Sequence, residues 1–249
     1  MSDYTIIMRN ILEVRLKEKV FAFLDFRGEF IDFLINNYDG KKIRYLNNGS
    51  RIDIATEDLK KVIFFGFENF GFQIEMNDDF ENFKNEIDNI FKIIDEFNKY
   101  KYKKILRIGV KSFIYCHKKG KSLEAMKGFY KEKMFKEADS LEKITNSKIV
   151  DFGYLFNDVE IGKTKANITT GPVDAQEALT KFFDSDEMYV NKITKPGIMY
   201  IMDCFRSDIE TKEYTNDELI KEIKENITNT ENSFEKFRDF IFKELDEEK

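Results

Sequence analysis

Apolar residues recur along this chain with two periods, and the switches between them outline its elements. Near the start IIMRNILEVRLK (6–17) alternates apolar and polar, which predicts a strand. VFAFLDFRGEFIDFLINNY (20–38) is densely apolar and reads as helix, and KKIRYL (41–46), RIDIAT (51–56) and KKVIFFGFENFGFQIEM (60–76) read as β. NNGS at 47–50 supplies the Asn and Gly that a tight hairpin needs, because both tolerate positive φ. Phe80, Phe83, Ile87, Ile90, Phe91, Ile94 and Phe97 then repeat at helical spacing. Asp78 and Glu81 form a capping box ahead of them, so a helix is expected over 79–98.

The second half repeats this order. KKILRIGVKSFIYCHK (103–118) is a strand, and helical patterns follow at 122–135 and 136–145, with Ser122 as N-cap. SKIVDFGYLF, EIGKTKANITTG and PGIMYIMDCFRSDI carry β character, with a turn at Asn157-Asp158 and a short inserted helix at 174–185. Thr215 and Glu218 cap a closing helix over 216–245 whose stripe runs from Leu219 to Leu245. Each half therefore reads β-α-β-β-β-α, over 1–99 and 100–249, with the boundary at 98–101. The expected fold class is α+β: two tandem halves with antiparallel curved sheets packed on long helices.

Composition narrows the function classes. With 42% hydrophobic residues and 26 Phe, the 249-residue chain has the material for a large core despite 35% charged residues. Its 41 basic and 47 acidic residues give a net charge of −6, which disfavours a general nucleic-acid binder. The opening residues do not read as a signal peptide, and no stretch of about 18 apolar residues occurs, so a cytoplasmic location without a membrane partner is expected. Cys116 and Cys204 are too few for a disulfide framework and too isolated for a zinc site. Neither a metal nor a cofactor is expected: the glycine-rich phosphate loops are absent, and GKTKANITTGP (162–172) reads as a strand.

Alternation also sorts the candidate chemistry. In the strand 103–118, Leu106, Ile108, Val110, Ile114 and Cys116 share one face, and Arg107, Lys111, Phe113, Tyr115 and His117 share the other. Cys116 and His117 therefore cannot act together as nucleophile and base. Glu13, Arg15, Arg107, Lys111, His117 and Asp203 are the candidate ligand-binding residues, since charges inside strands must be paired or face water. Asp203 and Arg206 fall on opposite faces. Lys101, Lys103, Lys104, Lys118 and Lys119, interleaved with tyrosines, form an alternative nucleic-acid site, with a solvated rim of lysines as the simpler reading.

EVRL (13–16), LRIGVKSF (106–113) and GIMYIMDCFR (197–206), followed by a helix ending FEKFRDFIF (234–242), resemble the "sporadically distributed" family of uncharacterised prokaryotic proteins. The resemblance aligns Glu13 and Arg15 with that family's opening motif, Arg107 and Gly109 with its central strand, and Asp203 with its late acidic position. Lys111 stands where the family has arginine. The resemblance implies no activity; it implies an accessory protein associated with mobile elements or defence loci. The leading expectation is a binding or assembly protein that recognises a protein partner or a small anionic ligand. A homodimer is also expected, because the closing helix carries more apolar surface than one sheet covers. The alternatives are an enzyme acting on a nucleotide or phosphate ester through Arg107, Lys111 and His117, and a single-stranded nucleic-acid binder.

Overall fold

Alternating strands need a partner on each side, and here they find it in one continuous sheet. The structure is a computed structural model that describes residues 4–38, 42–46, 49–77, 79–135, 137–184, 186–207, 209 and 213–247. The first half contains β1 (Tyr4–Leu16), α1 (Phe23–Asn37), β2 (Lys42–Leu46), β3 (Arg51–Ala55), β4 (Lys61–Gly66), β5 (Asn69–Asn77) and α2 (Glu81–Phe97). The second contains β6 (Ile105–Lys118), α3 (Leu123–Phe129) with a π-helical continuation (Tyr130–Met134), α4 (Ala138–Thr145), β7 (Tyr154–Ile161), β8 (Thr164–Val173), α5 (Ala175–Phe182), α6 (Glu187–Val190), β9 (Gly197–Arg206) and α7 (Asn216–Glu247). The fold is α+β, with antiparallel pairing throughout the named strands.

Among the described residues the strand order is β2-β3-β4-β5-β1-β6-β9-β8-β7. The opening strands of the two halves, β1 and β6, pair at the centre, from Tyr4 opposite Lys118 to Leu16 opposite Ile105. The closing strands β5 and β9 flank them, and the remaining strands follow outward on each side.

The two faces of this sheet differ. Leu12, Val14, Ile108, Val110, Ile114, Met202 and Cys204 point into the main core, together with Phe23 and Phe30 of α1, the α2 stripe and Leu219, Ile223, Ile227 and Phe234 of α7. An aromatic group anchors the joint between the halves: Phe30 lies 4.7 Å from Phe65 and 4.6 Å from Phe97. Tyr100, fully buried, donates to the carbonyl of Gly66 at 2.6 Å. The opposite face is covered at one end by α5 and α6: Ala178 and Leu179 of α5, Phe183 just after it and Tyr189 of α6 pack on Ile7, Tyr115, Val173 and Met199.

Several expectations are corrected. KKVIFFGFENFGFQIEM is two strands, β4 and β5, joined at Phe67-Glu68, so the first half reads β-α-β-β-β-β-α. Asn157-Asp158 is a bulge inside β7 rather than a turn: Asp158 has φ 52°, and both residues sit opposite Asn167. The turn into β8 uses Gly162, whose φ of +61° suits a residue without a Cβ. Leu106 is exposed rather than buried, because pairing skips it where Arg15 faces Arg107 and Leu16 faces Ile105. The Asp78 cap lies outside the described residues; the Asp79 carboxylate accepts from the amides of Glu81 and Asn82 at 3.0 and 3.4 Å. Residues 47 and 48 of the expected hairpin also lie outside them.

The other two caps form as the sequence predicts. Ser122 accepts from Ala125, and Thr215 and Glu218 exchange bonds of 3.2 and 3.0 Å. Most of the α7 stripe is spent within the chain: Leu219, Ile223, Ile227, Phe234, Ile241 and Leu245 are buried. Part of the apolar surface that motivated the homodimer expectation is covered in this way, while Ile220 and Phe237 are half-buried and Phe240 is exposed. No described helix is long and apolar enough to cross a membrane.

Candidate functional site

The uncovered part of the sheet face is built from alternate residues of β1, β6, β9 and β8. Register places Glu13 opposite Gly109, Arg15 opposite Arg107, and Lys111 opposite both Ile11 and Asp203. These positions face away from the main core, so their charges meet water and one another.

Four of the charges form a ladder across the strands. Arg107 donates to both carboxylate oxygens of Asp203 at 2.7 and 2.8 Å, and its other terminal nitrogen lies 3.7 Å from Glu13. Glu13 in turn accepts from Arg15 and from Asn69, both at 2.8 Å. Gly109 makes the long reach of Arg107 feasible. A Cβ there would meet the guanidinium at 2.4 Å, so the glycine leaves a channel along which the arginine lies, 4.9 Å above the Phe205 ring.

Lys111 stands apart from the ladder. It is exposed and directly opposite Asp203, yet that carboxylate is held by Arg107. Its ammonium rests 4.8 Å over Phe113 and has no carboxylate partner among the described residues. Five of the six ligand candidates thus share one surface: Glu13, Arg15, Arg107, Lys111 and Asp203.

His117 does not join them. It sits ten positions from Arg107 on β6, about 33 Å along a strand. Its Nδ1 lies 2.8 Å from the carbonyl of Pro196, beneath the connection into β9. Arg206 points to the helix side, where it pairs with Glu222 of α7. Cys116 is buried in the main core, and desolvation pushes its thiol up to about 12; burial raises Cys204 as well. Neither sulfur is poised as a nucleophile.

The lysines of the alternative nucleic-acid site bracket β6 in two groups at its opposite ends, about 45 Å apart along its 14 residues. Lys101 donates to Asn98, and Lys103 and Lys119 are exposed. Backbone pairing joins Lys104 to Glu213. Lys118 is buried, with its ammonium 3.0 Å from the carbonyl of Phe242, and Lys121 donates to that of Leu245. These two cations hold the last turns of α7, where the helix dipole is negative. Lys118 is thus a structural residue, withdrawn from the candidate nucleic-acid site by its register: it shares the core face with Cys116 at the strand end.

A buried ion pair was not among the candidates. Arg9, two positions before Ile11 on the same face, donates to Glu75 at 2.9 Å and to Asp184 at 2.8 Å. Glu75 also accepts from Tyr189 and Gln73, and the Arg9 guanidinium lies 5.6 Å from the Phe183 and Tyr189 rings. Burial disfavours the Arg9 cation, but the attraction and hydrogen bond of Glu75, with that of Asp184, outweigh it and raise its pKa. This cluster latches residues 174–196, which carry α5 and α6, onto the sheet as a strap. Period-two counting from Glu13 back to Arg9 was the available signal; Glu75 lay hidden in a segment read as one strand.

Compared with known proteins, the chain matches no family model and no curated protein, so the family resemblance rests on the residues quoted for it.

Proposed function

We propose that this protein works by binding, and that it docks a protein partner on the uncovered sheet face between the strap and the Glu13–Arg15 end of the ladder. The observation that supports this reading is the ladder itself. Arg15 and Arg107 are matched to Glu13 and Asp203, so a small anion would have to compete with carboxylates already in place. A protein surface, by contrast, meets mixed charges with mixed charges and covers the half-exposed Ile11, Phe113, Ile201 and Phe205 between them.

The rival readings have less support. The enzyme reading needs Arg107, Lys111 and His117 around one groove, and His117 lies far along the strand. The nucleic-acid reading needs one continuous basic track. We also read the two halves as an internal duplication, supported by the strand order that runs outward from β1 and from β6 in the same sequence of roles. A cytoplasmic accessory protein associated with defence or mobile elements remains the setting that the family resemblance implies.

Site-specific photo-cross-linking in cells carrying the protein tests the docking surface. A photoreactive residue at Phe205 on the open face is expected to give a discrete adduct, and one at the exposed Phe240 on α7 is not. Adducts at Phe240 with none at Phe205 would overturn the assignment.

A further inference from the structure

Two antiparallel residues directly opposite on one face of a sheet are the natural ion pair, with Cβ atoms about 5 Å apart. Lys111 and Asp203 occupy such positions. The pair does not form. Arg107, a residue whose own β9 partner position lies beyond Phe205, extends over Gly109 and reaches both oxygens of Asp203 through one terminal nitrogen, while its other terminal nitrogen lies toward Glu13. The guanidinium holds the position because its rigid, multi-donor plane spans two carboxylates at once, Asp203 on one side and Glu13 on the other, which a single ammonium does not.

The consequence is a lone cation at the middle of the central strand. Lys111 has Ile11 on one side and Phe113 next along its own face, with Ile201 and Phe205 on the neighbouring strand. All four apolar side chains are partly exposed. An uncompensated charge ringed by half-exposed apolar groups, bounded by neutral ion pairs at one end and a strap at the other, matches the anatomy of a protein interface. There, apolar contact excludes water and one charge fixes the register.

We infer that Lys111 is the anchor of this surface, and that the occupant is an acidic polypeptide segment presenting an Asp or Glu carboxylate to Lys111 with apolar side chains beside it. The inference rests on the docking reading proposed above and specifies its chemistry. Glu13 and Asp203 remain bound within the ladder, so they repel a second carboxylate less than free anions would, and Arg107 stays on Asp203 when the segment binds. Phosphate is a poorer match: one ammonium on an open sheet supplies a point charge and none of the converging donors that cradle a phosphoryl group.

The test uses the full chain and a random peptide library displayed on phage. Selected peptides are synthesised, their affinities measured, and their footprints read by amide hydrogen exchange. The expected result is enrichment of peptides that combine Asp or Glu with apolar residues and protect β6 and β9. Replacing their acidic residues by Asn or Gln weakens binding at least tenfold. Lys111→Glu does the same, while Lys111→Arg stays within about threefold of the parent; Lys111→Arg retains the parental melting curve, and Lys111→Glu, with a carboxylate opposite Asp203, melts slightly lower but cooperatively. Peptides that protect β6 and β9 but bind equally well to Lys111→Glu overturn the anchor and leave the docking reading standing. Selected peptides that never protect this face, or a failure to select any, overturn both. Displacement of an acidic peptide by oligothymidylate, with the same footprint, overturns the assignment of a polypeptide occupant.

Discussion

Replacing Arg9 by Met should destabilise the protein by about 3 kcal/mol, and the figure follows from the surroundings of Glu75. The side chains of Arg9 and Glu75 are 9% and 5% exposed, so removing the cation strands a carboxylate inside the protein. Breaking a buried pair from one side typically costs about 3–5 kcal/mol. The lower end applies because Tyr189 and Gln73 continue to donate to Glu75. The lost Asp184 contact adds little, since that carboxylate is 79% exposed. Equilibrium unfolding in urea reads the change: with a slope of about 3 kcal/mol/M for a chain of this size, the midpoint falls by about 1 M. The double variant Arg9→Met/Glu75→Met removes both charges and should return to within about 1 kcal/mol of the parent, recovering about 2 kcal/mol of the loss. A single-variant midpoint within about 0.2 M of the parent, at unchanged slope, would refute the claim that the ion pair latches the strap.

Ser112 is fully buried with a hydroxyl that has no partner among the described residues, so Ser112→Ala should raise stability by about 1 kcal/mol in the same assay. Thr215→Ala removes one half of the capping box at the start of α7 and should cost about 1 kcal/mol. Alkaline pH should unfold the protein early. Cys116 holds its proton up to about 12 in the folded state against 9.0 for an ordinary thiol, so its contribution is complete below about pH 9 and is lost as pH rises towards 12. A urea midpoint that stays flat from pH 8 to pH 11 would contradict this, as would rapid native-state labelling of either cysteine. His117→Ala should leave binding of any Lys111-dependent peptide unchanged, measured by the same titration, since His117 lies six positions further along β6, against the carbonyl of Pro196.

What the sequence revealed was governed by local period. The alternation in β6 placed Arg107 and Lys111 on one face and buried Cys116 on the other, and in β9 it separated Asp203 from Arg206; all of that stands in the structure, whereas the register that puts Asp203 on the face of Arg107 was not legible. Irregularities of period two were not legible. One skipped residue turned Leu106 outward, and the bulge at Asn157-Asp158 looked like a turn because the same residue types serve both. The β4–β5 hairpin escaped notice because FFGFENFGF keeps its aromatic run through the connection, with no Asn-Gly or Asp-Gly pair to mark it. The Lys111 vacancy depends on which of two cations Asp203 chooses. That competition is settled by the space over Gly109, which no pattern of residue types displays.

The pairing of β1 with β6 also has a consequence in time. During synthesis β1 gains its first neighbour when β5 is complete, but its other edge waits for β6, about 40 residues later. At about 5–20 residues per second, that leaves a 13-residue strand edge unpaired for about 2–8 s on every nascent chain. A ribosome paused between the halves would hold that edge open to neighbouring chains for longer, so the speed of translation through residues 98–118 becomes a determinant of yield.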